Sequence, residues 1–404
     1  MRGIKFLLDN SMFLIIGAVG ALIWANVDYE AYHHLVHLDL FHNGFVGHAH
    51  GDHYSITPHY IVNDILMALF FGIAGKEVWE ATLPGGPLNN PKQAAAPLIA
   101  TIGGMAGPAL VFVLVAVMAG EFDALGNGWA VPTATDIAFS YMVARIVFGG
   151  GHPAIPFLLL LAIADDALGL VILAVFYTSG AQPIWLLLVL AGIIVGVVFR
   201  RMKISSFWPY LLIPGILSWV GMAKTGVHPA LALVPIIPTM PHAHSDSGLF
   251  NWKEMHKTDT LNAFEHWWKN PVEIILGFFG LFNAGVQLGA MGTATTAVVA
   301  GLFIGKPLGI WVMGYLAKLG GFKLPVGMNY KDLFVVGCAA GIGFTVALFV
   351  ATVAFKTSPG EQGAAKMGAL LSFGAAILTV IAAKVMGVQK VAGNPPGHGH
   401  GEHH

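Results

Sequence analysis

The chain has 404 residues, of which 56% are hydrophobic and 10% charged, with a formal net charge of −1 at neutral pH. A soluble domain carries roughly a quarter charged residues, so this composition belongs to a polytopic membrane protein. The near-zero net charge argues against a nucleic-acid partner, and the single cysteine, Cys338, rules out a disulfide within the chain.

Apolar stretches predict about twelve spans, each needing roughly 20 apolar residues if helical. They fall near 11–27, 59–83, 94–118, 130–148, 155–178, 182–199, 205–221, 226–240, 271–290, 293–318, 331–355 and 362–387. The first could pass for a signal peptide, but it lacks a convincing small-residue cleavage site and is read as a retained helix. The spans at 205–221 and 226–240 are short and interrupted by Pro209, Pro214, Pro229, Pro235 and Pro238. With the N-terminus inside, most of the basic residues fall on inner segments, among them Arg2, Lys5, Arg200, Arg201, Lys203, Lys323 and Lys390. Only Lys224, Lys356 and Lys366 are assigned to the outer side, and Lys306 falls within a span. Both termini are therefore expected in the cytoplasm.

The transmembrane domain is expected over 1–387. It carries an outer loop at 28–58 with His33, His34, His37, His42, His48, His50 and His53. An inner loop is expected at 241–270, amphipathic around Trp252, Trp267 and Trp268. The Gly/Pro/His-rich stretch 388–404 reads as a disordered cytoplasmic tail. Imidazoles suit zinc or copper, but no ligand spacing recurs, so the histidines read as solvated loop residues.

The chemistry concentrates in the apolar run 155–177, which contains Ile163-Ala164-Asp165-Asp166-Ala167. One aspartate at the centre of a spanning helix costs about 2.5 to 3.5 kcal/mol on insertion scales. Two side by side also repel, so the pair reads as a functional site and not as packing. A second acid, Asp136, follows Pro132, Thr133 and Thr135. Proline removes a backbone donor and breaks or kinks a helix. Non-helical backbone at membrane depth is tolerated only where protein or a water-filled cavity lines it. The stretch Gly337-Cys338-Ala339-Ala340-Gly341-Ile342-Gly343-Phe344-Thr345, which contains Gly341 and Gly343, suggests a second broken span, and paired interrupted helices point to a transporter site. Close glycine-mediated helix packing is an equally good account of those two glycines, though not of the acids. Lys306 supplies a cation that offsets part of the carboxylates' desolvation. Asp64 reads as a supporting hydrogen-bond acceptor, and Glu273 as interfacial.

These residues resemble the NhaA-type sodium/proton antiporters. The shared motifs are Thr133-Ala134-Thr135-Asp136-Ile137-Ala138-Phe139, Asp165-Asp166, Gly305-Lys306-Pro307-Leu308-Gly309 and Gly341-Ile342-Gly343-Phe344-Thr345. Lys224-Thr225-Gly226-Val227-His228 and Phe282-Asn283-Ala284-Gly285-Val286 match as well, and the resemblance runs over about residues 60–385. It implies an all-α fold of twelve helices, with spans 3–5 and 10–12 as inverted repeats and broken spans 4 and 11 crossing at the midplane. It also implies that Asp166 is the main cation ligand and proton carrier, that Asp165 shares the site and pairs with Lys306, and that Thr135 lines the crossing. Asp136 and Lys306 would offset the positive and negative half-helix ends that meet there.

Two departures concern the family's pH-response residues. Glu77 matches, whereas Trp79-Glu80-Ala81 do not follow the acid with the family's basic and acidic residues; Glu265-His266 matches, but the family's second histidine is replaced near Lys269. The resemblance also implies a homodimer, although the outer loop 28–58 differs from the family's dimer-forming hairpin.

The expected function is pH-dependent, electrogenic exchange of sodium or lithium for protons across a bacterial inner membrane. No cofactor is expected, and the protein is not read as an enzyme. A cation channel would need a continuous pore, which one compact site of acids and a lysine does not suggest. An intramembrane aspartyl protease needs one aspartate on each of two helices and a Gly-x-Gly-Asp motif, which is absent. A non-transporting membrane sensor is separated only by a flux assay.

Overall fold

Helices that are apolar all round belong inside a membrane or a large core, and most of this chain takes that form. The computed structural model describes residues 11–391 apart from 44–45, 51–52, 179, 181 and 243–258. Its first helices are α1 (Met12–Val27), α2 (Tyr29–Val36), α3 (Met67–Thr82), α4 (Pro91–Met118), α5 (Ile137–Phe148), α6 (Ala154–Phe176) and α7 (Leu186–Arg201). There follow α8 (Ile216–Thr225), α9 (Thr260–Asn283), α10 (Thr293–Leu319), α11 (Tyr330–Ala340), α12 (Phe344–Ala354), α13 (Pro359–Leu371) and α14 (Gly374–Met386). Among the described residues, α4, α6, α10, the α13–α14 segment and the stretch Pro183–Arg201, which ends in α7, are long and apolar enough to cross a bilayer. The pair α11–α12, bent by 53° at its junction, makes a sixth. The protein is thus a mostly helical membrane protein, although length and composition alone do not reach the fuller count expected from hydropathy.

Four expectations are corrected. The segment 28–58, expected as an outer loop, is not irregular: it holds α2 and a three-stranded antiparallel sheet of β1 (Phe41–Asn43), β2 (His48–His50) and β3 (His53–Ile56), ordered β1-β3-β2. The run 226–240 is not a helix but a chain of turns with 3-10 segments Pro229–Leu231 and Ile237–Thr239, since its prolines remove helix donors at short intervals. The inner loop ends early, because α9 starts at Thr260, capped by the Asp259 side chain, and carries Trp267 and Trp268; Trp252 lies outside the described residues. Glu273 is consequently in mid-helix, where it accepts a hydrogen bond from Ser11 Oγ at 3.0 Å.

Two features of α10 position the site. Pro307 lacks an amide donor and its ring crowds the carbonyl of Phe303; the helix widens into a π-turn over Gly301–Gly305, directly before Lys306. Below that turn α10 runs against α4 with the backbones nearly touching. A Cβ on Gly309 would lie 2.0 Å from Gly103 O, and one on Gly107 would lie 2.2 Å from Gly305 O. Two facing stripes of small residues four apart make this approach possible. Gly309→Ala therefore forces the helices apart and is expected to cost about 1–3 kcal/mol, read as a lower midpoint of thermal unfolding in detergent. Gly20→Ala, with open space around the added Cβ, should leave the midpoint unchanged. Equal midpoints for the two variants would refute the close packing.

Candidate functional site

The chain approaches the site through a 3-10 segment, Gly126–Thr133, which contains Pro132. It continues extended over 134–136 and re-enters helix at Ile137. Asp136 caps the new helix: its side chain accepts from Phe139 N at 3.4 Å. The same carboxylate accepts from Thr345 N at 3.3 Å and from the Thr345 hydroxyl. One acid thus serves the N-terminal ends of both α5 and α12, where the helix dipole is positive.

The junction of α11 and α12 lies against this extended segment. Asp136 N donates to Ile342 O at 2.7 Å, and Thr135 Oγ1 donates to Ala340 O at 3.2 Å. A Cβ on Gly343 would come within 2.8 Å of Ala134 O, and one on Gly341 within 2.7 Å of Leu302 O. These glycines therefore both interrupt a helix and permit close approach.

Asp165, Thr135 and Lys306 meet beside this junction. Lys306 is fully buried; its Nζ donates to Asp165 Oδ2 at 2.8 Å and to Thr133 O, a carbonyl at the end of the 3-10 segment. Thr135 Oγ1 donates to the same Asp165 oxygen at 2.6 Å. Asp165 Oδ1 is buried with no hydrogen-bond partner among the described residues. Asp166, the next residue on α6, is only half-buried. Both aspartates line a cavity of about 20 Å³ with Thr133, Ala134, Phe71, Val346 and Val350, room for about one water-sized species. Chemically, the arrangement offers one carboxylate already neutralised by an ammonium and a second that is available to a proton or a small cation.

A family model described as Na+/H+ antiporter 1 matches residues 7–384. The chain belongs to the Na+/H+ antiporter 1 family. A relative from Jannaschia sp. (strain CCS1), named Na(+)/H(+) antiporter NhaA, is 53% identical over 96% of this chain and 98% of its own length. Relatives of the same name from Desulfitobacterium hafniense and Geobacter sulfurreducens are 48% and 46% identical, each over 96% of this chain.

In this member of the antiporter family Asp64, Glu77, Glu265 and His266 make no hydrogen bond or ion pair with Lys306, Asp165 or Asp166 among the described residues, although the charge of Glu77 acts on Asp166. Asp64 sits on a π-turn, Ile61–Leu66, ahead of α3, with Oδ1 3.8 Å from His228 Nε2. Its backbone carbonyl accepts from Trp219 Nε1 at 2.6 Å. At the other end of α3, Glu77 is half-buried, and Glu265 on α9 is half-buried beside the exposed His266. The cation of this cluster is Lys76, buried and in contact with both Glu80 and Glu265. A basic residue thus stands one position before Glu77, where the family pattern puts it after. Sequence reasoning missed that role, and it missed Thr345 as a partner of Asp136. The four-residue spacing of Lys76 and Glu80 was the available signal for the first; nothing local announced the second.

Proposed function

We propose that this chain exchanges sodium or lithium ions for protons across the bacterial inner membrane. Cation and protons compete for the Asp165–Asp166 pair, and the loaded site opens to each side in turn. The observation that carries this reading is the inequality of the two acids. Asp165 is tied to Lys306 and Thr135, whereas Asp166 has no hydrogen bond or ion pair among the described residues and borders a cavity sized for one small species. A carboxylate so placed can be neutralised by a proton or by a cation, and one compact site can hold only one of them at a time. The names of the relatives support the same pair of ions.

In this reading the segment around Asp136 and the α11–α12 junction are the broken spans 4 and 11 of two inverted repeats within a twelve-helix chain. Both termini are cytoplasmic, and the protein forms a homodimer. Exchange is electrogenic and pH-dependent, with Glu77, Glu265, His266 and Lys76 forming the inner pH-response cluster.

The test is sodium-dependent proton movement in proteoliposomes from mildly acid to alkaline pH. Below the apparent titration range of the pair, which belongs to the dyad and not to either residue, the KM for sodium should fall about tenfold per pH unit for each displaced proton. A KM that stays flat would overturn the shared site. Sodium flux without proton counterflow would identify a channel, and no flux at all would leave a sensor.

A further inference from the structure

We propose that His152 and Asp332, a buried pair at the inner ends of two site-bearing helices, are positioning residues for the cation site; this rests on the exchange reading above. Each residue caps a different helix. His152 Nδ1 accepts from Ala154 N at 3.1 Å, at the first residue of α6. Asp332 belongs to the cap of α11: Asn329 N donates to its Oδ2 at 2.9 Å, and Asn329 Oδ1 accepts from Asp332 N at 3.1 Å. With Nδ1 occupied as an acceptor, the neutral ring carries its hydrogen on Nε2. That nitrogen faces Asp332 Oδ2 at 3.9 Å.

The two helices so joined lead to the two halves of the site. From Ala154 to Asp165 α6 rises about 17 Å, and from Tyr330 to the break at Gly341 α11 rises about as far. A change in how their inner ends sit against each other therefore alters the spacing between the aspartate pair and the α11–α12 junction. The pair is 5% and 1% exposed, with the His152 ring 5.0 Å from that of Phe148. The segment after α14 is tied to the turn that carries His152, with Val391 N donating to Phe148 O at 2.8 Å. Away from water a polar contact is stronger and its loss more costly. The present separation is about 1 Å too long for a hydrogen bond. The contact therefore has slack: it becomes a bond when α6 and α11 close and is lost when they part. It thereby limits how far the aspartate pair and the α11–α12 junction can drift apart.

The experiment compares the native chain with His152→Gln, Asp332→Asn, the double variant and Asn329→Ala, which weakens the α11 cap but keeps the pair. In proteoliposomes each pair variant should raise the sodium KM several-fold with little change in maximal rate, and the double variant should be no worse than the singles. Asn329→Ala should lower the thermal midpoint without moving KM. Unchanged KM in both single variants, or the same KM rise in Asn329→Ala, would overturn the proposal. A second readout does not depend on transport: spin labels at Val175 and Val326, 64% and 100% exposed, in a Cys338→Ala background. Their distance distribution should broaden in His152→Gln and not in Asn329→Ala. If the native chain moves no sodium, the exchange reading fails, and the labels alone decide the pair: an unbroadened distribution rejects it.

Discussion

Asp166→Asn is expected to reduce sodium-coupled proton movement to background at every pH while leaving the protein folded. An amide cannot release a proton and cannot balance a cation, so both sides of the competition are lost at once. The structural cost is small, because the Asp166 carboxylate makes no hydrogen bond or ion pair among the described residues and is only half-buried. Thermal unfolding should therefore be close to native, which separates loss of function from loss of fold. Asp165→Asn should behave differently. It removes the charge that faces Lys306 and keeps an oxygen for Thr135, so exchange is impaired less completely while stability changes more. Proteoliposomes carrying each variant, assayed side by side with unfolding curves, give the comparison. Full transport by Asp166→Asn at any pH would sink the assignment of the exchanging carboxylate.

The contrast between the two aspartates shows what the sequence could and could not convey. Two acids in the apolar run 155–177 are legible because charge in a membrane is costly, and a lone Lys306 in another span is legible for the same reason. Pro132 points to an interrupted helix by backbone chemistry, whereas Gly341 and Gly343 fit a break or close helix packing equally well until the bend between α11 and α12 is seen. Which oxygen Lys306 meets is a tertiary fact. So is the service of Asp136 to Thr345, more than two hundred residues away. The errors have equally specific causes. The start of α9 carries Glu265, His266, Lys269 and Pro271, so hydropathy reads it as loop, although Asp259 caps it and α9 packs on α1. The run 226–240 is apolar enough to span, yet proline chemistry overrides its hydropathy. Strands of three or four residues, as in the outer sheet, are too short for period-two alternation to stand out. That Lys366 is buried is likewise a tertiary fact, because sequence does not reveal which face of α13 packs inward.

Lys306→Ala is expected to destabilise the protein by about 3–5 kcal/mol, the usual cost of removing one partner from a buried ion pair. Lys306 is 0% exposed and Asp165 3%. Without the ammonium, Asp165 keeps only the Thr135 hydroxyl, and Thr133 O loses its donor. Most of the cost is the uncompensated carboxylate, which gives two further outcomes. The loss should be larger at alkaline than at acid pH, because a proton on Asp165 removes the unpaired charge when the lysine cannot. The double variant Lys306→Ala with Asp165→Asn should recover part of the stability, since a neutral amide needs no cation. It should not recover exchange if, as proposed, Asp165 and Lys306 belong to the exchange site as well as to its scaffold. Unfolding midpoints of the native chain, both single variants and the double variant, measured at two pH values, complete the thermodynamic cycle. If the double variant is no more stable than Lys306→Ala, the two residues are not energetic partners, and the short contact between them contributes nothing to holding the site.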